Sequence, residues 1–265
     1  MIERRTDRLH IRIYDDKTLL GEDAAAMTAA HIRQLLEKKE TVNMIFAAAA
    51  SQNEFLEALS HAELDWQRIN AFHMDEYIGL PKDAPQLFGQ WLKKRIFDKV
   101  PFGNVFYLDG QAADTQEECR RYSELLLRYP VDITCMGIGE NTHLAFNDPH
   151  VADFADTAMV KVIDLDEGSK RQQVAEDCFA DVSQVPSFAL TLTIPALLKA
   201  GAVFCMVPGA RKAQAVYHTL TAGINARYPS TILRQHPNAL LLLDRESAAL
   251  IPDDADILTK NAAGI

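Results

Sequence analysis

Short apolar runs alternate with longer amphipathic stretches along most of the chain, and this alternation predicts a layered α/β fold. Compact runs rich in Val, Ile and Leu are typical of buried strands, whereas apolar residues three or four positions apart are typical of helices. The predicted strands are residues 42–48, 69–74, 104–108, 131–136, 188–192, 202–207 and 239–243. The predicted helices are residues 23–38, 53–59, 87–97, 115–129, 194–199 and 212–219. Strands separated by helices favour a Rossmann-like, mostly parallel sheet flanked by helices.

Domain organisation follows from the length of the chain and from the absence of a linker. A chain of 265 residues, of which 48% are hydrophobic, suits one large α/β domain. We expect this domain over residues 1–250 and a loose C-terminal tail over residues 251–265, because no stretch rich in Pro, Gly or Ser divides the chain.

Charge and cysteine usage restrict the cellular setting and the partners. The formal net charge of −10 argues against nucleic acid, because phosphate backbones require clustered Lys and Arg. No apolar run reaches the ~18 residues of a membrane span, and the N-terminal segment lacks the apolar core of a signal peptide. The four cysteines are widely spaced. We therefore expect a cytoplasmic protein without nucleic-acid or membrane partners, and its oligomeric state stays open, a homo-oligomer included.

A histidine follows the predicted strand 131–136 and is the first candidate for catalysis. The strand runs into Gly137-Ile138-Gly139, and His143 follows four positions after Gly139. Asn141 precedes this histidine and Asp148 follows it. Imidazole titrates near neutrality, and a carboxylate or amide on one ring nitrogen fixes its tautomer and orientation. The segment therefore predicts a general acid/base at the end of a strand, with Asn141 and Asp148 positioning His143. The alternative is a structural histidine that closes a tight turn.

Two adjacent carboxylates, Asp75 and Glu76, follow the predicted strand 69–74. A carboxylate in such a place can abstract a proton next to a carbonyl group. Because neighbouring side chains of an extended segment point in opposite directions, only one of the two can face a given site. We predict that Asp75 is the base and that Glu76 has a supporting or salt-bridge role. The alternative is a solvated acid pair at a strand end.

Candidate anion-binding residues follow other strands. Lys212 stands at a predicted helix start after a strand, where anions bind, although a solvated first-turn lysine is the alternative. The strand-to-helix turn at residues 47–52 could hold a phosphate through the backbone N–H groups of Ala48 and Ala49 and the side chains of Ser51 and Gln52. That turn contains no glycine, which disfavours a tight nest. Arg171, in a polar segment, is a further candidate.

Motifs for metal or nucleotide chemistry are absent from the sequence. The histidines are scattered without paired ligand spacing, so we predict no metal site. The chain also lacks a Gly-x-Gly-x-x-Gly turn, a P-loop and a Gly-x-Ser-x-Gly nucleophile turn.

Three segments make the chain similar to the glucosamine-6-phosphate deaminase/isomerase family, which is related to the 6-phosphogluconolactonases. They read Phe-His-Met-Asp-Glu-Tyr-Ile-Gly-Leu-Pro at 72–81, Gly-Ile-Gly followed by His-Leu-Ala-Phe-Asn-Asp-Pro within 137–149, and Gly-Ala-Arg-Lys-Ala at 209–213. The resemblance implies that His143 opens a sugar ring, that Asp75 moves the C2 proton, and that ammonia is lost without a cofactor. It implies an amino-sugar 6-phosphate as substrate, in the gluco or the galacto configuration.

The chain departs from the family pattern mainly where phosphate is held. Ala48 and Ala49 replace a turn that contains glycine and threonine, and Arg171 is the only substitute for an arginine expected within residues 172–179. Asn141 stands where an acid is usual. Two alternatives therefore remain beside the deaminase: a catalytically weak sugar-phosphate-binding or regulatory protein, and a phosphosugar lactonase that uses His143 to activate water. The Leu-Ala-Phe-Asn segment after His143 counts against the lactonase.

Overall fold

The computed structural model describes residues 1–175 and 178–252, which form two β-sheets and the helices around them. The strands are β1 (Ile2–Thr6), β2 (Leu9–Tyr14), β3 (Val42–Phe46), β4 (Ile69–His73), β5 (Asp75–Tyr77), β6 (Asn104–Phe106), β7 (Ile133–Met136), β8 (Val160–Asp164), β9 (Phe188–Leu192), β10 (Ala202–Val207) and β11 (Ala239–Asp244). The α-helices are α1 (Lys17–Leu36), α2 (Asn53–Ser60), α3 (Phe88–Leu92), α4 (Thr115–Arg128), α5 (Glu167–Ala175), α6 (Ile194–Leu198) and α7 (Ala213–Thr221).

The larger sheet has eight strands in the order β1-β2-β11-β10-β7-β3-β4-β6. All neighbouring pairs in it are parallel except β1 with β2. The smaller sheet, β5-β9-β8, is antiparallel. The predicted fold class, an α/β fold with a mostly parallel Rossmann-like sheet, is confirmed.

The strand order reverses between β3 and β7. From β3 the chain adds β4 and β6 on one side, and it then returns to place β7, β10 and β11 on the other side. Ligands of open α/β sheets bind beyond the carboxyl ends of the strands at such a reversal. The turn after β3 carries Ser51, and the loop after β7 carries His143. The topology therefore brings these two segments together.

Alternate residues of the central strands pack on opposite faces of the larger sheet. In β10, Val203 and Cys205 face a core closed by α4, α6 and α7, whereas Phe204 and Met206 face a core closed by α1, α2 and α3. Burial on both faces explains why these strands read as continuous apolar runs. The strands are therefore held by packing on both faces, and their carboxyl ends are suited to positioning side chains.

Several elements differ from the sequence prediction. Strands β1, β2 and β8 were not predicted, although the alternating Leu9, Ile11 and Ile13 of β2 are a period-two signal. Strand β5 begins two residues after β4 ends and joins the smaller sheet. Asp75 and Glu76 were predicted only to follow the strand at residues 69–74. Pairing with β9 is a long-range contact, which local sequence does not encode.

The start of α1 differs from prediction, and the residue before α2 does not cap it. Helix α1 begins at Lys17, six residues before the predicted start, because the Asp16 carboxylate accepts hydrogen bonds from the N–H groups of Thr18 and Leu19. Ser51, three residues before Glu54, has the spacing of a helix N-cap but does not cap α2. A 3₁₀ turn, Ala50–Gln52, precedes α2, and the Ser51 hydroxyl accepts a hydrogen bond from Gln52 Nε2 at 3.0 Å instead.

Among the residues that the structure describes, no helix is long and apolar enough to cross a membrane. The predicted tail, residues 251–265, lies almost wholly outside the described residues. The domain boundary at residue 250 stays a prediction.

Candidate active site

A cleft of about 1050 Å³ opens at the carboxyl edge of the larger sheet, at the reversal of strand order. The turn after β3, the start of β5, the loop after β7 and the turn after β10 all line it. Of the residues predicted for the site, the cleft is lined by Ala48, Ala49, Ser51, Asp75, His143 and Lys212. Four segments that are far apart in sequence therefore meet in one cavity.

The loop after β7 is held in a conformation that presents His143. Thr142 has a φ of 74°, in the left-handed region that β-branched residues rarely adopt. The N–H of Thr142 donates to Gly139 O at 2.9 Å, and the N–H of Gly139 donates to His143 O at 3.0 Å. Ser230 N–H donates to Thr142 O at 2.9 Å, which ties the loop to the rest of the fold. These bonds compensate for the strained backbone and fix the histidine.

The imidazole of His143 is backed by a buried carboxylate. Its Nδ1 lies 3.0 Å from Asp148 Oδ1, and Asp148 is fully buried. The same oxygen accepts hydrogen bonds from Asn141 Nδ2 at 2.8 Å and from the Ser169 hydroxyl at 2.6 Å. Asn141 Oδ1 also accepts from the His143 backbone N–H at 3.1 Å. The structure thus places Asn141 and Asp148 in contact with His143, and their positioning role stays a prediction.

The donors around Asp148 determine its charge. Burial on its own would raise the pKa of the Asp148 carboxyl, but His143, Asn141 and Ser169 together hold that pKa well below its usual value. The carboxylate is therefore ionised, and it orients Nδ1–H of His143 towards itself. His143 Nε2 is left to exchange protons in the cleft, since no described residue bonds to it.

Gly139 is required by the position of the histidine ring. A Cβ atom on Gly139 would lie 2.2–2.4 Å from three ring atoms of His143. Gly137 has a milder role, because a Cβ there would lie 3.3 Å from Ser51 Oγ and from Gln52 Nε2. The first glycine makes room for the turn after β3, and the second makes room for the imidazole.

We expect Gly139→Ala to lower kcat by about 10²-fold, because displacing a catalytic ring by about 1 Å has effects of that size. The control is Gly201→Ala, whose Cβ would meet its nearest neighbour, Asp132 O, at an ordinary 3.4 Å. Turnover rates and circular dichroism of both variants check the prediction. A Gly139→Ala protein with the parent's rate would show that the ring has no fixed catalytic position.

Asp75 enters the cleft from the first position of β5. Its backbone carbonyl accepts a hydrogen bond from His73 Nδ1 at 2.9 Å, while His73 Nε2 accepts from the N–H of Leu108 at 3.0 Å. These two bonds require one neutral tautomer of His73, and burial lowers the pKa of His73 to about 4, so the ring stays neutral. Buried His73 therefore fixes the backbone that carries Asp75.

The two adjacent carboxylates have opposite surroundings. Asp75 is 7% exposed and lines the cleft, and its carboxylate has no hydrogen-bond partner among the described residues. Burial and the neighbouring Glu76 raise the pKa of Asp75 well above its usual value. Glu76 does not line the cleft. Burial raises the pKa of Glu76 to about 7, although hydrogen bonds from the N–H groups of Gly89, Phe88 and Tyr77 act in the opposite direction.

Glu76 thus stabilises an element beside the cleft and does not line the cleft itself. Its carboxylate binds the first N–H groups of α3, which anchors that helix to β5. The salt-bridge role predicted as one alternative is wrong, because within the described part of the chain no cation pairs with Glu76. Gly89 lies close to this contact, since a Cβ there would be 3.4 Å from Glu76 Oε2.

Residues 47–51, called the alanine turn below, line the cleft, and none of them has a positive φ. Ala48 and Ala49 have no acceptor for their backbone N–H groups among the described residues, so these donors are available to a ligand. The side chain of Gln52 points away from the cleft, and its Nε2 lies near the carbonyl oxygens of Met136 and Met206. The prediction that Gln52 binds phosphate is therefore corrected: Gln52 is 1% exposed and ties the turn to the ends of β7 and β10.

Arg171 is also displaced from its predicted role. On α5 the cleft is lined by Gln172 and Gln173, whereas Arg171 is exposed. Successive helical residues are rotated by about 100°, so the two glutamines and the arginine cannot face the cleft together. Gln172 Oε1 accepts from the Glu140 N–H at 3.2 Å and connects α5 to the histidine loop.

Sequence reasoning missed several residues of the cleft. Ser169, which binds Asp148, lies 21 residues away from it in a polar segment and gave no local signal. Trp91 and Arg95 also line the cleft, and their spacing of four on a predicted helix could have placed them on one face. In residues 1–175 and 178–252, no group of three or more His, Cys, Asp or Glu residues could hold a metal ion.

The charges around the cleft are unequal. Among described residues, the acidic lining residues are Asp15, Asp16, Glu54, Asp75, Glu140, Asp244 and Glu246, and the basic ones are Lys17, Arg95, Arg211 and Lys212. Such a lining favours a ligand that carries a positive group and restricts an anionic group to a basic part of the wall.

Comparisons with known proteins agree with this architecture. A family model described as glucosamine-6-phosphate isomerases/6-phosphogluconolactonase matches residues 15–242. A glucosamine-6-phosphate deaminase of Bacillus cereus (strain G9842) is 30% identical over 229 residues, which are 86% of this chain and 86% of that protein. A second one, of strain B4264, is 30% identical over 83% of this chain and 82% of that protein.

Solved structures show the same fold. The structure of a monomeric glucosamine-6-phosphate deaminase superposes with a TM-score of 0.83 at 28% identity, over 91% of this chain and 99% of that chain. A 6-phosphogluconolactonase of Thermotoga maritima superposes with a TM-score of 0.73 at 20% identity, over 89% and 99% of the two chains. At the lower identity, the likeness concerns the fold alone.

Proposed function

Because the chain belongs to the family of glucosamine-6-phosphate isomerases and 6-phosphogluconolactonases, we propose that it converts an amino-sugar 6-phosphate into a ketose 6-phosphate and ammonia. The observation that carries this proposal is one cleft that holds both Asp75 and His143. The buried Asp75 carboxyl group has no hydrogen-bond partner among the described residues, and a carboxylate backs the His143 imidazole. Glucosamine 6-phosphate and galactosamine 6-phosphate are the two proposed substrates. No cofactor takes part in the proposed reaction.

The charge of the cleft supports an amino sugar over a neutral one. Burial and Glu76 raise the pKa of Asp75, which favours the protonated form of its carboxyl group. A C2 ammonium group placed beside it would lower that pKa and would leave a carboxylate next to the C2 proton. A lactone brings no cation and does not activate Asp75 in this way. The acidic residues along the wall attract the same ammonium group.

The proposed reaction uses Asp75 and His143 in sequence. His143 Nε2 accepts the proton of the C1 hydroxyl and returns a proton to the ring oxygen, which opens the ring. Asp75 then takes the C2 proton while one proton of the C2 ammonium group passes to O1, which gives an enolamine, the nitrogen counterpart of an enediol. Asp75 delivers its proton to C1, so that C2 becomes a protonated imine. Water adds to C2 and ammonia leaves, which yields the ketose phosphate. Asp148 stabilises the transient imidazolium.

Two other functions on the same scaffold differ from the deaminase in the products that they release. A sugar-phosphate-binding protein of low activity is favoured by one observation, namely that Ala48 and Ala49 replace the glycine- and threonine-containing turn of the family. It would bind the sugar phosphate without turnover. The lactonase alternative has support only from the shared fold and would hydrolyse a 6-phosphosugar lactone.

The deciding experiment measures ammonia and ketose phosphate release from glucosamine 6-phosphate and from galactosamine 6-phosphate. We expect turnover of at least one of them, and the active sugar identifies the configuration that the cleft accepts. The Asp75→Asn protein is the negative control. Release of neither product by a folded protein, together with hydrolysis of the lactone, would replace the deaminase by the lactonase.

A further inference from the structure

Arg95 is a cation of the cleft wall that the reaction outlined above does not use. It lies in a π-helical turn, Lys93–Phe97, that continues α3. Arg95 Nε donates to Asn53 Oδ1 at 2.7 Å, and Asn53 is the first residue of α2, two positions after Ser51. The guanidinium carbon lies 3.7 Å from the centre of the Trp91 ring. Arg95 is therefore fixed beside the alanine turn.

The π-helical turn gives Arg95 its direction. The N–H of Asp98 donates to Lys93 O at 3.0 Å, so this turn is wider than an α-helical one. Trp91 and Arg95 line the cleft, whereas Lys93 and Lys94 between them are exposed. Stacking on an indole and a bond to an amide oxygen hold a guanidinium plane with little loss of side-chain freedom on binding.

No carboxylate neutralises Arg95 within the described part of the chain. Burial lowers the pKa of Arg95, and Cys178 acts in the opposite direction. Lys17 provides the contrast, because its ammonium lies 2.7 Å from Glu54 and near Asp244 and Glu246. Arg95 is thus a partly desolvated cation at a place in the cleft that the acidic residues do not occupy.

In the turn after β10, by contrast, the backbone N–H donors of the cleft wall are already bound by carboxylates. Asp244 Oδ2 accepts from the N–H of Gly209 at 2.9 Å, and Glu246 Oε2 accepts from the N–H of Ala210 at 3.3 Å. A phosphate dianion against these N–H groups would compete with two carboxylates. The donors near Arg95 are not engaged in this way: Ser51 Oγ accepts from Gln52 Nε2, so its hydroxyl hydrogen can donate into the cleft.

We propose that Arg95, together with the Ser51 hydroxyl, binds the phosphate group of the substrate. The substrate class is a phosphate monoester of a sugar, and the inference rests on the proposed function only in that it places the phosphate of the same substrate. A guanidinium offers two parallel N–H groups to two phosphate oxygens, which an ammonium cannot do. Phosphate recognition is thereby moved from α5, where Arg171 was predicted, to the π-helical turn after α3.

The test is calorimetric binding of glucosamine 6-phosphate, unphosphorylated glucosamine and inorganic phosphate to the parent, Arg95→Gln and Lys94→Gln proteins. Lys94 is the matched control, since it is the preceding residue and is exposed. We expect Arg95→Gln to raise the Kd for glucosamine 6-phosphate and for phosphate at least about tenfold. Lys94→Gln should bind as the parent does, and the Kd for glucosamine should be alike in all three.

Two results would overturn the inference: an unchanged Kd for glucosamine 6-phosphate in Arg95→Gln, or a parent protein that binds neither phosphate nor the phosphate ester. If Arg95→Gln does not fold, Arg95→Lys replaces it, and a several-fold rise in Kd is expected because the bidentate contact is lost. Ammonia release reports on the deaminase independently. Loss of binding without Arg95 in a protein that releases no ammonia would support this site and reject the deaminase.

Discussion

Replacing Asp75 by Asn is expected to lower kcat at least about 10²–10⁴-fold and, at neutral and alkaline pH, to make the protein harder to unfold. The loss of activity follows because an amide cannot take the C2 proton. The gain in stability follows because the parent buries a carboxylate that has no partner in the described part of the chain, and burial and Glu76 raise its pKa. Activity and stability therefore change in opposite directions at this position.

The sign of the pH dependence is fixed by the direction of that shift. Asp75 binds its proton more tightly in the folded chain than in the unfolded one, so its contribution to stability decreases as pH rises from about 4 towards the folded-state pKa. The Asp75→Asn protein lacks this decrease. We expect the difference in Tm, variant minus parent, to grow between pH 4 and pH 8.

Thermal unfolding across this pH range, with ammonia release at each pH, checks both parts. The control is Asp83→Asn, because Asp83 is an exposed carboxylate on the following loop and does not line the cleft. It should change neither property. An Asp75→Asn protein that is active at the parent's rate would remove Asp75 from catalysis, and one with a Tm difference independent of pH would contradict the raised pKa.

Replacing Asp148 by Asn is expected to lower kcat about 10²-fold or more and, unlike the change at Asp75, to destabilise the protein. Asp148 Oδ1 accepts from Asn141 and Ser169 and holds Nδ1 of His143 at 3.0 Å. An amide stabilises an imidazolium less than a carboxylate does, and its NH₂ group would meet a buried place without an acceptor. We expect a loss of about 2–3 kcal/mol in the free energy of unfolding at pH 7, the size of one hydrogen bond to a charged group.

The pH dependence at this position has the opposite sign. The pKa of Asp148 is held below its usual value in the folded chain, so its stabilising effect is present above about pH 4 and is lost as pH falls through the folded-state pKa. The difference between parent and Asp148→Asn should therefore stay constant from pH 7 to about pH 4 and shrink as pH falls further. Urea unfolding measures it, with exposed Asp153→Asn as the control. A difference that does not shrink below about pH 4 would show that the charge of Asp148 is not what stabilises the loop.

Much of the fold and the centre of the site could be predicted from local sequence. The apolar runs of β3, β7 and β10 are buried on both faces, so each reads as a strand without knowledge of its neighbours. Parallel strands meet at one edge, which was enough to group Asp75, His143 and Lys212 near a single cleft. Alternation along an extended segment was enough to separate Asp75 from Glu76.

Other features depend on contacts between distant segments, and local sequence does not carry them. Strand β5 exists because β9 pairs with it, more than 100 residues later in the chain. Gln52 and Ser51 are adjacent and both polar, yet one is buried against strand ends and the other faces the cleft, because a 3₁₀ turn separates their directions. Two arginines also differ from what local sequence indicates. The rotation of α5 directs Arg171, which was predicted for the site, towards solvent, and the π-helical turn directs Arg95, which was not predicted, into the cleft.

The sequence by itself determined the chemistry that is available: the residue types, their place after buried strands, and the acidic net charge of −10. The tertiary structure decided which of these groups are charged, paired or accessible. Burial is a property of the whole packed molecule, and it raises the pKa of Asp75 while three converging donors lower that of Asp148. Two carboxylates of one residue type thus acquire opposite roles because desolvation and hydrogen bonding act on them through neighbours that only folding brings near.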